Sequence, residues 1–129
     1  MIDLIERLLP KLPVYDSDAT GAKSYPYLLV LSTFQDQGRE SDYGCGDSES
    51  AVIVRAVGVT PEQARKALMY ARSQLAGLNT SDGRVNWQAR FDGCPRPAQV
   101  DRVVTVEDSN SHPVFIDDEY TFYRQEVHR

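Results

Sequence analysis

Ser50-Ala51-Val52-Ile53-Val54-Arg55-Ala56-Val57-Gly58-Val59 runs directly into Thr60-Pro61-Glu62-Gln63, and the reading of this junction decides the fold. β-branched residues fall in both alternating sets of the first stretch, the pattern of a strand covered on each face. Thr60 then offers a capping hydroxyl, Pro61 suits the first helical position, and Gln63 stands where a capping box places its side chain. A helix therefore starts here. Its inner stripe is Ala64, Ala67, Leu68, Ala71 and Leu75, three of them small enough for close approach to a sheet. Gly77 supplies a stop, and Arg65, Lys66 and Arg72 fall elsewhere on the helix.

Upstream of the junction, Phe34 to Glu49 holds Asp36, Glu40, Asp42, Asp47 and Glu49 against Arg39 alone, with three glycines. That length is far beyond the ~2–5 residues of a hairpin turn, and connections of this size are usually functional or mobile. Before it, Tyr25-Pro26-Tyr27-Leu28-Leu29-Val30-Leu31 reads as a strand with Pro26 at its start. Val14 to Ser24 reads as a loop. Residues 2 to 12 set Ile2, Ile5, Leu9 and Leu12 on one helical stripe with Leu4 and Leu8 beside it, stopped by Pro10 or Pro13.

Downstream, Arg84 to Phe91 alternates so that Val85, Trp87, Ala89 and Phe91 face one way and the polar set the other. Gly93 to Pro97 turns the chain, Val100 to Val106 reads as a further strand, and Glu107 to Pro113 as a turn. Val114 to Tyr123 is then a last strand, interrupted by Asp117-Asp118-Glu119 as a charged bend or solvated edge. The expected order is α-β-β-α-β-β-β. It gives one α+β domain over residues 1–129, an antiparallel or mixed sheet of about five strands with two helices on one side.

A chain of 129 residues with 41% hydrophobic residues suffices for one core. The balance of 14 Lys and Arg against 19 Asp and Glu, net charge −5, argues against a domain that grips nucleic acid through phosphates, though not against a surface that DNA slides past. No apolar run approaches the ~20 residues needed to span a bilayer, and the first residues lack the positive charge of a signal peptide, so a soluble, cytosolic protein is expected.

Catalytic patterns are not found. There is no Gly-x-Ser-x-Gly elbow and no phosphate-loop glycine pattern, and Gly44-Cys45-Gly46 lacks a strand-to-helix setting. Cys45 with His112 as base makes a poor nucleophile, since the nearby carboxylates hold a thiol protonated. Cys45, Cys94, His112 and His128 lack zinc-site spacing, and Asp117 and Glu119 share a strand face that Asp118 does not. No catalytic residue, cofactor or metal is expected.

The layout resembles the tail terminator family of long-tailed bacteriophages, also known as minor tail or head-to-tail joining proteins. The similar elements are Met1 to Leu12, Pro26 to Val30, Val52 to Thr60, the helix Ala64 to Gly77, then Pro97, Val100 to Arg102 and Asp118 to Tyr123. The resemblance implies a structural virion protein without enzyme activity. Its members form a six-membered ring on the tail tube, end tube growth and meet the neck or connector protein, while DNA passes through the bore without specific binding. A related neck or head-completion protein is the neighbouring alternative, and a small enzyme or ligand-binding domain the more distant one. The expected location is the virion, after assembly in the host cytoplasm, with no membrane partner. A ring needs a contact between two different surfaces, for which Arg65, Arg72, Asn86, Gln88 and Arg90 offer polar and cationic groups. The acidic stretch with Asp36, Glu40, Asp42, Asp47 and Glu49 resembles the long loops that the family projects towards the bore or a neighbour.

Overall fold

The computed structural model describes residues 1–18, 24–32, 48–81, 83–106 and 111–126. Its elements are α1 (Ile2–Leu8), β1 (Val14–Asp16), β2 (Tyr27–Ser32), β3 (Ser48–Gly58), α2 (Pro61–Leu75), β4 (Asn79–Ser81), β5 (Val85–Gly93), β6 (Gln99–Val100) and β7 (Val114–Glu126). The seven strands form one mixed sheet in the order β1-β2-β3-β7-β5-β4, with β6 also paired to β7. Only β1 and β2 run parallel among these pairs. The α+β class stands as expected, with two more strands than the sequence suggests.

The junction folds as its residues dictate. β3 is flanked by β2 and β7, with Val54 opposite Val30 on one side and Asp118 on the other. The Gln63 N–H donates to Thr60 Oγ1 (3.1 Å), and Gln63 Oε1 accepts from the Val59 N–H (2.7 Å), so the first turn of α2 is closed in both directions. Gly58 lies beneath that turn, where a Cβ would stand 2.8 Å from the Ala64 nitrogen. Ala64, Ala67, Leu68, Ala71 and Leu75 are all buried. At the far end Gly77 takes φ +74°, and its N–H donates to the Ala89 carbonyl (3.2 Å), tying the helix exit to β5.

The core lies between the helices and one face of the sheet. Leu4, Ile5 and Leu9 from α1 and its exit join the α2 stripe, Leu28 and Val30, Val52, Val54 and Ala56, Ala89, and Ile116, Tyr120 and Phe122. Trp87 and Phe91 pack against this cluster, so the inward set of β5 is as its alternation implies.

Helix α1 ends at Leu8, so of the two prolines offered as its stop Pro10 is the one that acts, because it cannot donate to the ladder. Three local expectations are corrected. Val14–Asp16 is a strand beside β2, too short at three residues to carry a periodicity. Asn79–Ser81, unread in the sequence, adds the edge strand β4. The expected strand over 100–106 shrinks to Gln99–Val100: Asp101 Oδ1 accepts from the Val103 N–H (3.1 Å), a local turn that competes with pairing, and Val103 is 93% exposed. The largest correction concerns β7. It runs unbroken for 13 residues through the middle of the sheet, and Asp118 is fully buried, so the three acids are neither a bend nor an edge.

Candidate functional site

The alternation of β7 sorts its side chains between a face covered by the helices and the opposite face, uncovered by any helix among the described residues. Val114, Ile116, Asp118, Tyr120 and Phe122 take the first; Phe115, Asp117, Glu119, Thr121 and Tyr123 take the second. The expected contact residues divide between the same two sides. Arg65 and Arg72 belong to α2, whereas Asn86, Gln88 and Arg90 alternate with the core-facing Trp87, Ala89 and Phe91 and so lie on the uncovered face of β5. The structure gives two separate patches.

Arg72 is engaged within its own chain. Its Nε and Nη2 donate to Asp118 Oδ2 and Oδ1 at 2.9 and 2.8 Å, and the guanidinium lies 4.6 Å from the centre of the Phe91 ring. A planar fork matched to both oxygens of a buried carboxylate is the arrangement that makes such a charge tolerable. The hydrogen bonds that Asp118 accepts hold the Arg72 pKa above its ordinary value. Burial, with Asp118's charge second, pushes the Tyr120 phenol far above its usual range, so it stays neutral. The nearby Cys94 thiol is raised by the same two causes, which makes it a weak nucleophile.

Arg90 also has an internal partner. Its Nε donates to Asp92 Oδ1 (2.7 Å) and its Nη2 to Thr121 Oγ1 (3.2 Å), while the Thr121 hydroxyl donates to Asp92 Oδ2 (2.6 Å). The hydrogen bond from Thr121, and then that from Arg90 with its charge, hold the Asp92 carboxyl below its usual range. Asp92 shares the uncovered face with Arg90 and sits where the register of β5 against β7 shifts, between Phe91 and Gly93. Among the described residues, neither Arg65 nor Arg96 meets a carboxylate.

On the uncovered face a second bidentate pair joins directly opposed residues. Arg55 Nε and Nη2 donate to Asp117 Oδ1 and Oδ2 at 2.8 and 3.0 Å, and Arg55 stacks 4.2 Å from the Phe115 ring centre. Tyr15, Tyr25 and Tyr27 form an aromatic group farther along this face, with the Tyr15 and Tyr27 rings edge-on at 5.5 Å. Arg55 and Asp117 escaped the sequence reading as a pair. The only signal was a lone cation inside an apolar strand, which names no partner until register is known.

Two grooves flank the Cys94–Gln99 segment. One, about 310 Å³, opens on the uncovered face between Ile53, Arg55, Phe115 and Glu119. The other, about 340 Å³ and mostly apolar, lies on the helix side between α2 and Cys94, Pro97 and Ala98. Beside the grooves Arg55 and Asp117, and Arg72 and Asp118, satisfy one another, while Glu119, Arg96 and Arg65 line them outside any ion pair among the described residues. Among the described residues no group of three or more His, Cys, Asp and Glu converges as metal ligands do. His112 Nδ1 lies 2.7 Å from the Val104 carbonyl oxygen, consistent with a turn residue. Cys45 and His128 lie outside the described residues, as do Asp36, Glu40, Asp42 and Asp47. Glu49 does not belong to the acidic stretch: it sits exposed in β3, opposite Tyr123.

No family model matches the chain, and no curated protein matches it. Among solved structures it is similar to a chain of the virion of a native gene transfer agent particle. That likeness has a TM-score of 0.55 at 19% identity and covers 96% of this chain and 85% of the other. What the two chains share is the fold, across nearly the whole length.

Proposed function

We propose that the protein is a structural subunit of a phage-like virion, and specifically the tail terminator, which forms a six-membered ring that caps the tail tube and joins it to the neck or connector protein. The observation that carries this reading is the fold shared over 96% of the chain with a chain of a gene transfer agent virion. In this role the protein works by assembly and not by catalysis, binds no cofactor, and lets DNA pass through its bore without specific contacts. The acidic balance of −5 suits a bore wall, since a basic wall would hold phosphates back.

Ring closure requires that one surface of a subunit meet a different surface of the next. The α2 side with Arg65 and the uncovered β5 side with Asn86 and Gln88 are two such surfaces. Arg72 and Arg90 belong to them mainly through their internal carboxylate pairs, so a charge reversal at Arg90 alters fold and contact together. Gln88→Arg is the cleaner probe.

The deciding experiment adds purified protein to isolated tails or growing tail tubes and images the product by electron microscopy. A terminator gives ring-shaped density on one tube end and a fixed tube length. Density at the portal with tube length unchanged identifies a neck or head-completion protein instead, and no association with either structure overturns the proposal.

A further inference from the structure

Two apolar surface features face away from one another, a projecting tip and a groove. The tip follows β6 as a closed excursion. At its root the Asp101 N–H donates to the Pro113 carbonyl (2.9 Å), and farther out the Val106 N–H donates to the Ser111 carbonyl (2.8 Å). Inside it Asp101 Oδ1 accepts from the Val103 N–H (3.1 Å). Val103 is left almost wholly exposed, with Val104 and Val100 also on the surface. Water gains nothing from these valines, and their backbone is already fixed by the turn, so covering them costs little ordering entropy. Asp101 lies within electrostatic reach of Tyr27 and Arg55, which roots the tip on the uncovered face.

The groove lies on the helix side. It measures about 340 Å³, and Leu68, Ile116, Pro97 and Ala98 line it together with Met69, which is 64% exposed. The exposure of Val103 shows that a subunit's tip does not fill its own groove. An apolar projection and an apolar concavity on different surfaces of one molecule make a contact that repeats from copy to copy. The rim adds a charge match. Arg65 and Arg96 meet no carboxylate among the described residues, and Asp101 stands in no ion pair there. Arg102, exposed beside Asp101, has the sign of the groove, so apolar burial carries the contact and Asp101 sets its orientation. A tip of this size buries far less than the ~800 Å² per partner of a stable complex, so free subunits meet weakly and associate as concentration rises.

Deepening the ring reading above, on which closure of the contact into a ring rests, we propose that the Val103–Val104 tip of one subunit seats in the Met69–Pro97 groove of the next. Asp101 then approaches the Arg65 and Arg96 guanidiniums from the neighbouring copy.

Cys94 lines the groove and serves as a reporter. Full-length protein carrying Cys45→Ser and Val103→Cys, half of it isotope-labelled, is treated at about millimolar concentration with a short bis-maleimide, and linked peptides are read by mass spectrometry. The expected product is a link between position 103 of one chain and Cys94 of another, in a ladder that ends at six subunits. Sedimentation velocity on chains with native cysteines supplies the second arm. Val103→Lys and Met69→Lys change exposed positions, so each should keep the wild-type melting temperature while weakening self-association at least about tenfold. Mixed together, the two variants retain one working groove and one working tip, and they should form dimers and stop there. Links only between two copies of position 103, links within one chain, no links, undiminished association of either folded variant, or a mixture that stays monomeric overturns the proposal. A ladder of 103-to-94 links that runs past six subunits keeps the contact and sinks the ring. Linked protein that fails to cap tails keeps the contact and sinks the terminator role.

Discussion

Asp117 and Asp118 are neighbours in the chain, yet they live on opposite faces of β7, each gripped by an arginine through two hydrogen bonds. Asp117 and Arg55 keep 21% and 32% of their side chains exposed on the uncovered face, while Asp118 is fully enclosed beneath α2. The same chemistry therefore does different work. Near water, the pair gains little over two separately hydrated ions, because solvent screens the attraction. Beneath the helix, Asp118 has no water to fall back on, so Arg72 becomes a necessity of the fold and fixes where α2 lies on the sheet. A charge on the covered face is a structural commitment. One on the uncovered face is a surface feature.

The sharpest way to break this comparison is to remove each arginine while keeping its bulk. Arg72→Met leaves Asp118 buried without its partner and should cost about 3–5 kcal/mol in urea unfolding, whereas Arg55→Met should cost no more than about 1 kcal/mol. Adding Asp118→Leu to Arg72→Met should regain most of the loss, since a buried pair replaced by apolar groups is often tolerated. Equal costs for the two single variants would show that water reaches Asp118.

Next in size is the apolar side of the same interface. Leu75→Ala, at a side chain with no exposure, should lose ~2–5 kcal/mol, and Leu68→Ala a similar amount. Both positions of the α2 stripe would then rank above any polar change on the uncovered face. Losses near half a kilocalorie would reverse that ranking. A smaller effect is expected at Gly58, where an added methyl has to displace the backbone of Ala64 at 2.8 Å. Gly58→Ala should cost about 1–3 kcal/mol by overpacking, and thermal unfolding measures it. The corresponding change at Gly83, which has open space around the added carbon but φ +89°, tests backbone strain alone.

The smallest expected effect separates the faces by pH. Asp92 is held below its ordinary pKa by Thr121 and Arg90, so its contribution is present above the unfolded value of about 3.9 and is lost as pH falls through the lower folded value. Thr121→Val removes the leading hydrogen bond. The stability gap between wild type and Thr121→Val should stay constant from about pH 7 to 5 and narrow below about pH 4, by less than about 1 kcal/mol for so exposed a pair. A gap that widens on acidification would mean that Thr121 acts through packing instead.

How much of this was legible in the sequence follows from the range of the forces involved. The start and stop of α2, its five buried positions, the two faces of β5 and the long strand at the junction were readable, because caps, helical stripes and alternation are local patterns within one element. The polar patch of Asn86 and Gln88 was readable for the same reason, and so was the exposed Arg65. β1 and β4 were not, and β6 was read only as the start of a longer strand over 100–106: two or three residues carry no period, and they become strands because a neighbouring strand offers its hydrogen bonds. β7 misled for a different reason. Three consecutive acids look like a solvated break, and only register reveals that Arg55 stands across from Asp117 and that Arg72 reaches down to Asp118. Sequence by itself determined the elements with strong internal patterns, the α+β class and the surplus of acids. Tertiary structure alone decided which charges are internal and which arginines meet a carboxylate among the described residues, because the energy of a charge depends on its burial and on partners distant in the chain.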